Sequence, residues 1–142
     1  MAEDAERRMK DAERRAKEKA VRAEQFAKRL TELEWLSFQA DGLLIRPCAD
    51  EDALIQEGRE LHHCVASYAK RHAEGKTAIL FIRKAKAPDK PFFTLEFDEK
   101  DLQVRQNRGK RNCDRTPEVA AFEKVWLERV RHIKSRGRIR VA

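Results

Sequence analysis

Thr77-Ala78-Ile79-Leu80-Phe81-Ile82-Arg83, Phe92-Phe93-Thr94-Leu95-Glu96-Phe97 and Leu102-Gln103-Val104-Arg105-Gln106 follow one another with only short connectors between them. The first run is almost unbroken in apolar character, as a strand covered on both faces must be. The second alternates more clearly, so its two faces meet different surroundings. The connector Lys84–Lys90 is polar and carries Pro88-Asp89, and Asp98–Asp101 has the length of a tight turn. Successive strands joined this closely pair antiparallel, because a parallel partner needs a much longer crossover. The middle of the chain is therefore an antiparallel meander.

Working outward, Leu43-Leu44-Ile45-Arg46 reads as a further short strand stopped by Pro47, giving a sheet of three or four strands. Asp50 is placed to cap a helix from Glu51, with acids in the first turn where the helix dipole favours them. Gly58 interrupts that helix and predicts two pieces, near 51–57 and 59–73. In the second, Leu61, Cys64, Val65, Tyr68 and His72 share one face, and Gly75 sits where a C-terminal glycine belongs. After the meander, Thr116-Pro117-Glu118 starts a last helix to about residue 134, with Val119, Phe122, Val125, Trp126, Val130 and Ile133 along one side. The fold class is α+β.

Before the sheet, residues 2–37 read as one long charged helix. Asp4–Lys10 nearly repeats as Asp11–Lys17, and Ala5, Met9, Ala12, Ala16, Ala23, Phe26, Leu30 and Leu33 fall at alternating 4/3 spacing, with Lys19 the break. This is a coiled-coil seam built mostly of alanine, which buries little area per layer. Only the part from Phe26 to Phe38 is apolar enough to dock on a core. The expected organisation is a charged helical extension over 1–40, ended by Asp41-Gly42, a domain over 41–135, and a basic tail over 136–142.

The net charge of +7 is unevenly spread: from Gln103 onward twelve Lys/Arg face four acids. Basicity is thus a property of the C-terminal part, where a polyanion would be attracted. No apolar run approaches the ~18 residues of a membrane span. Three cysteines (Cys48, Cys64, Cys113) lack framework spacing and suit a reducing cytoplasm. A soluble cytoplasmic protein, with neither signal peptide nor membrane, is expected.

Two constellations carry chemistry. In Glu57-Gly58-Arg59-Glu60-Leu61-His62-His63-Cys64-Val65-Ala66-Ser67-Tyr68, His63 and Cys64 are candidates for catalysis. As neighbours on a helix they would point about 100° apart, so they do not form a pair with each other. A buried cysteine and a histidine hydrogen-bonded to the sheet are the plainer reading of them. Metal-ligand spacing is missing, and no metal or cofactor is expected. The second is Gln106-Asn107-Arg108-Gly109-Lys110-Arg111-Asn112, flanked by Arg105 and Arg115. Five cations around one glycine able to take positive φ make a loop suited to wrapping a phosphate, or simply a solvated basic loop. Arg83 and Glu96, on neighbouring strands, are expected either to pair across the sheet or to join His63 in an active site.

In order, Glu57-Gly58, Leu61-x-His63-Cys64-Val65-x-x-Tyr68, Gly75, Ile82-Arg83, Pro91-x-x-Thr94-x-Glu96 and Gln106-x-x-Gly109-x-x-Asn112 resemble the PcfJ-like protein family. The resemblance runs from about Gly42 to Val125. It implies association with plasmids, phages and other mobile elements rather than a particular reaction. It also implies that the chain corresponds to the C-terminal part of a longer protein, or to a shortened member. The motif positions come from a helix, three strands and a loop, and are expected to converge at one end of the sheet.

Three functions follow. One is a nucleic-acid-associated accessory protein, gripping DNA or RNA phosphates through Arg105–Arg115 and the basic C-terminal helix and tail. Another is an enzyme acting on a nucleotide or nucleic acid, with His63 as acid–base group, Cys64 as a possible nucleophile, and Glu96, Arg83, Tyr68, Gln106 and Asn112 positioning substrate. The third is an interaction module using residues 1–37 for a protein partner or self-association.

Overall fold

The computed structural model describes residues 2–141, the last four by backbone alone. The order is α1 (Ala2–Leu33), a 3-10 turn (Glu34–Leu36), β1 (Phe38–Ala40), β2 (Leu43–Pro47), α2 (Glu51–Leu61), a 3-10 turn (Val65–Tyr68) and α3 (Ala69–Ala73). There follow β3 (Ala78–Lys84), β4 (Phe93–Asp98), β5 (Gln103–Arg108), a 3-10 turn (Lys110–Asn112) and α4 (Pro117–Val141). The sheet is one antiparallel meander of five strands in chain order, one or two more than the sequence predicts. The extra strand is β1. Asp41 and Gly42 both have positive φ (52° and 81°) between the paired residues Ala40 and Leu43, so they form a two-residue hairpin turn rather than a helix end.

Each face of the sheet has its own core. Ala78, Leu80 and Ile82 of β3 with Phe93, Leu95 and Phe97 of β4 pack against Val119, Phe122, Trp126 and Val130 of α4, together with Leu33 and Leu36. Trp126 Nε1 donates to the Leu36 carbonyl at 2.7 Å, tying α4 to the 3-10 turn after α1. On the other face, Ile79 and Phe81 meet Phe26, Leu54, Val65, Ala69 and Ala73. That second layer is shorter than the sheet is wide. It covers β3 but leaves the Thr94, Glu96 and Gln106 side of β4 and β5 beside an open cleft.

The helix predicted over 59–73 is not continuous. α2 runs through Gly58 to Leu61, and the break falls at His62, whose φ of 54° is left-handed. The chain then doubles back, and His63 N–H bonds the Gly58 carbonyl at 3.1 Å. Gly58 is favoured by proximity, since a Cβ there would stand 3.0 Å from the His63 carbonyl oxygen. Past α3, Gly75 N–H to the His72 carbonyl (3.1 Å) and Lys76 N–H to the Arg71 carbonyl (2.9 Å) make the paired C-terminal bonds expected around a glycine of positive φ. Asp50 caps α2, accepting from Ala53 N–H at 2.7 Å.

Within α1 only Phe26, Arg29 and Leu33 are buried, and nearly all of residues 2–20 are exposed. The last helix extends past the expected residue 134 to Val141, so the segment expected as a separate tail begins inside it. The side chains of Arg138 and Arg140 in that segment lie outside the described residues. Among the described residues, no helix is long and apolar enough to cross a membrane.

Candidate functional site

A cleft of about 490 Å³ lies against the open part of the sheet. Its walls come from five places: His63, Cys64, Val65 and Tyr68 after α2, Ile79 of β3, Thr94 and Glu96 of β4, Gln106 and Arg108 of β5, and Asn112 of the following turn. Antiparallel register sets the strand residues side by side, with Glu96 opposite Gln106 and Thr94 opposite Arg108. Alternation along β4 does the rest. Phe93, Leu95 and Phe97 enter the α4 core, so Thr94 and Glu96 face the cleft.

Two hydrogen-bonded chains end in it. In one, Arg83 of β3 donates to both oxygens of Glu57 on α2 (2.5 and 3.0 Å), the Thr94 hydroxyl donates to Glu57 Oε2 (2.7 Å), and His63 Nε2 lies 3.0 Å from Thr94 Oγ1. Glu57 is wholly buried and Arg83 is 4% exposed. In the other, Glu96 accepts from Thr77 Oγ1 at 2.7 Å and from Gln106 Nε2 at 3.2 Å, while the same Gln106 nitrogen reaches the Tyr68 hydroxyl at 3.1 Å. Arg71 and Arg105 approach Glu96 at 3.9 and 3.7 Å. A register shift after Glu96 leaves Arg105 as the extra residue of a bulge, from which it also reaches Asp98 at 2.7 Å. Hydrogen bonds from Asp101 N–H and from Arg105 hold the Asp98 carboxyl below its ordinary range, and Asp98 in turn raises Arg105.

Of the residues singled out by sequence, His63, Cys64, Tyr68, Glu96, Gln106, Arg108 and Asn112 line this cleft together. Arg83 does not pair with Glu96, as the sequence reading allowed. Arg83 stands opposite Leu44 and turns to α2, whereas Glu96 stands opposite Ile79. Cys64 is exposed, and adjacent His63 is engaged with Thr94. The basic loop is less free than its composition suggests. Arg105 pairs with Asp98, Arg108 with Asp114, and Arg115 with Glu123, leaving Lys110 and Arg111 exposed with no ion pair among the described residues.

Gly109 does not take positive φ; its φ is −101°, and the left-handed positions are Arg111 and Asn112. Glycine is needed at 109 because a Cβ would fall 2.8 Å from the Phe93 ring and 2.9 Å from Cys113 Sγ. Among the described residues no group of three His, Cys, Asp or Glu is placed to hold a metal ion.

Glu57 and Thr94 are the members of this network that sequence reasoning undervalued. The signal was present: Leu54, Glu57, Gly58 and Leu61 form one helical stripe, and an acid in a core stripe demands a buried partner.

The fold and cleft define an α+β domain with one sheet face half covered and a polar site on the uncovered half. The family model for PcfJ-like proteins matches residues 4–122, and the chain belongs to that family. "Uncharacterized protein Lin1253/Lin1744" of Listeria innocua is 41% identical over 80 residues, covering 55% of this chain and 17% of that protein. The chain thus spans a small fraction of the length of the curated relative it matches. No solved structure matches it.

Proposed function

We propose that the cleft is an acid–base site for a phosphorylated ligand, a nucleotide or a nucleic-acid strand, within an accessory protein of a mobile element. The observation that carries this reading is the gathering of Arg108, Arg71 and Arg105 around a cleft lined by His63, Tyr68 and Gln106. Its volume falls within the few hundred to 1,000 Å³ of ordinary small-ligand sites. Arg108 is held by the largely exposed Asp114, and Arg71 only at 3.9 Å. An exposed pair such as Arg108–Asp114 contributes little, so a phosphate can replace Asp114 at small cost and gain the bidentate fit of the guanidinium. Lys110 and Arg111 beside the cleft add attraction for a longer polyanion. His63 has a buried Nδ1 with no partner, the type of unsatisfied group that functional sites tolerate.

The test is titration of the wild type, Arg108→Ala and His63→Gln with 5′-mononucleotides and with single- and double-stranded DNA and RNA oligomers across a salt series, with product analysis. Binding that weakens with salt, falls about tenfold in Arg108→Ala and survives in His63→Gln while turnover is lost supports the reading. Preference for mononucleotides over oligomers separates its two arms. Absence of binding to every ligand at low salt overturns it.

A further inference from the structure

The hydrogen count around Thr94 allows one arrangement. Both oxygens of Glu57 accept from Arg83, a side chain that stays cationic in proteins, so Glu57 is an acceptor with no proton to give. Thr94 has a single hydroxyl proton, and it goes to Glu57 at 2.7 Å. His63 Nε2, 3.0 Å from the same oxygen, can then only donate. In the neutral ring this fixes the proton on Nε2 and leaves the lone pair on Nδ1, which is shielded from water and has no other partner. We infer that Glu57, clamped by Arg83 and acting through Thr94, is a positioning residue that sets the His63 tautomer, with the proton on Nε2 and the lone pair on Nδ1. This rests on the proposed acid–base role of His63, which the chain of bonds deepens by fixing which ring nitrogen carries the proton.

Several features favour a positioning role over plain packing. The chain crosses three separate elements, from β3 through α2 and β4 to the segment after α2, and each link is a side chain–side chain bond. Its two charged members are nearly or wholly buried, a costly choice that apolar residues of similar volume would avoid. Gly58, next to Glu57, is the residue over which the His63 backbone folds back. The stretch that supplies the anchor therefore also supplies the room for the group it orients.

The experiment reads the imidazole nitrogens directly, in this chain labelled with 15N-histidine. Two-bond proton–nitrogen spectra are recorded above pH 8, where an exposed imidazole is neutral. His63 is assigned by the loss of its pattern in His63→Gln. The wild type is expected to show His63 with protonated Nε2 and bare Nδ1. In Glu57→Gln the carboxamide can donate to Thr94, whose proton then turns to His63 Nε2, and the tautomer is expected to reverse to Nδ1–H. His72 is the internal control, since its Nδ1 accepts from Ile79 N–H at 3.0 Å and its pattern reports an intact sheet.

A wild-type His63 found as Nδ1–H, or an unchanged His63 in a Glu57→Gln variant that keeps the His72 pattern, overturns the inference. Should Glu57→Gln lose the His72 pattern, Thr94→Val supplies the measurement. Its His63 nitrogens are expected to move toward values averaged between the tautomers, and unmoved nitrogens overturn the inference. Because no ligand is used, a fixed tautomer in a protein that binds no phosphate sinks only the functional reading. Phosphate binding with an unfixed tautomer sinks only the relay.

Discussion

Arg29 Nη2 donates to Glu99 Oε1 at 2.6 Å, joining the long helix to the β4–β5 turn 70 residues further on. The same guanidinium donates from Nε to the His72 carbonyl at 2.8 Å and from Nη2 to the Thr77 carbonyl at 3.0 Å. With Nη1 donating to Glu32 Oε2 at 3.1 Å, one buried side chain thus serves four peptide and carboxylate acceptors at the join of α1, α3 and β3. Arg29→Ala leaves these acceptors without their partner. The expected loss is about 3 kcal/mol, the range for removing one member of a buried charged network. Denaturant unfolding should show a lower midpoint with little change in slope, and Arg29→Lys should recover only part of it, because an ammonium lacks the planar fork.

The pair Arg83–Glu57 makes a different prediction, because its cost of burial and its attraction oppose each other. Arg83→Met alone strands a wholly buried carboxylate and should cost about 3–5 kcal/mol. Glu57→Leu alone strands the guanidinium at a similar cost. The double variant removes both charges and should be less destabilised than the sum of the two by about 2 kcal/mol or more. Additivity in that cycle would show that the two side chains do not depend on each other.

His72 gives the fold an acid limit. Its ring is fully buried against Phe26, and burial, with the nearby charge of Arg29 adding, lowers its pKa from 6.5 to about 4. The folded state holds the ring neutral while the unfolded chain takes up a proton below pH 6.5. Stability from this group is therefore complete above that pH and falls as pH drops toward 4, by about 1.4 kcal/mol per unit and about 3 kcal/mol in all. Unfolding free energies measured from pH 7.5 to 4 should show this decline in the wild type. A His72→Gln variant should show a shallower slope over the same window, and an equal slope would assign the acid limit to other groups.

Gly58→Ala should run against the usual ranking. In most helix interiors that change stabilises by up to about 1 kcal/mol. Here the new Cβ meets the His63 backbone oxygen at 3.0 Å and the Val65 side chain at 3.5 Å. The variant should be destabilised and should shift the His63 and Thr94 resonances, while those of Arg29 and Glu99, at the base of α1, stay in place. A stabilised variant with an unmoved His63 would show that the fold-back tolerates a methyl group.

What the sequence showed and what it hid have the same physical origin. Strand periodicity exposed β3, β4 and β5, and it placed Thr94 and Glu96 on the face opposite Phe93, Leu95 and Phe97. β1 stayed hidden because it has three residues and follows directly on an apolar helical seam. Asp41-Gly42 consequently read as a helix end, although it is also a hairpin signal. Gly58 read as a break because close approach of another segment leaves no mark in local pattern. Arg29 carries no mark of burial in its residue type. Only its spacing from Phe26, Leu33 and Leu36 puts it on the buried stripe. The cations of the 105–115 loop were countable, but their acidic partners Asp98, Asp114 and Glu123 lie on the turn, the loop and α4, and only the fold brings them together.

The exposed half of α1 separates the remaining readings of the N-terminal segment. Residues 2–20 are almost wholly exposed, Met9 and Val21 are among the most exposed large apolar side chains, and the first turns are held by pairs such as Arg7–Asp4 and Arg14–Asp11. A chain lacking residues 2–20 should therefore unfold within about 0.5 kcal/mol of the full chain, the range for changes away from buried features. It should lose helical signal roughly in proportion to the residues removed, since the core anchors Phe26, Arg29 and Leu33 remain. Sedimentation equilibrium over a wide concentration range then decides the role of the alanine-rich seam. A mass independent of concentration in both forms means a solvated helix held by its own ion pairs. A rise in mass that disappears on deletion means that Ala5, Met9, Ala12 and Ala16 are a self-association surface, which would bring two clefts into one assembly.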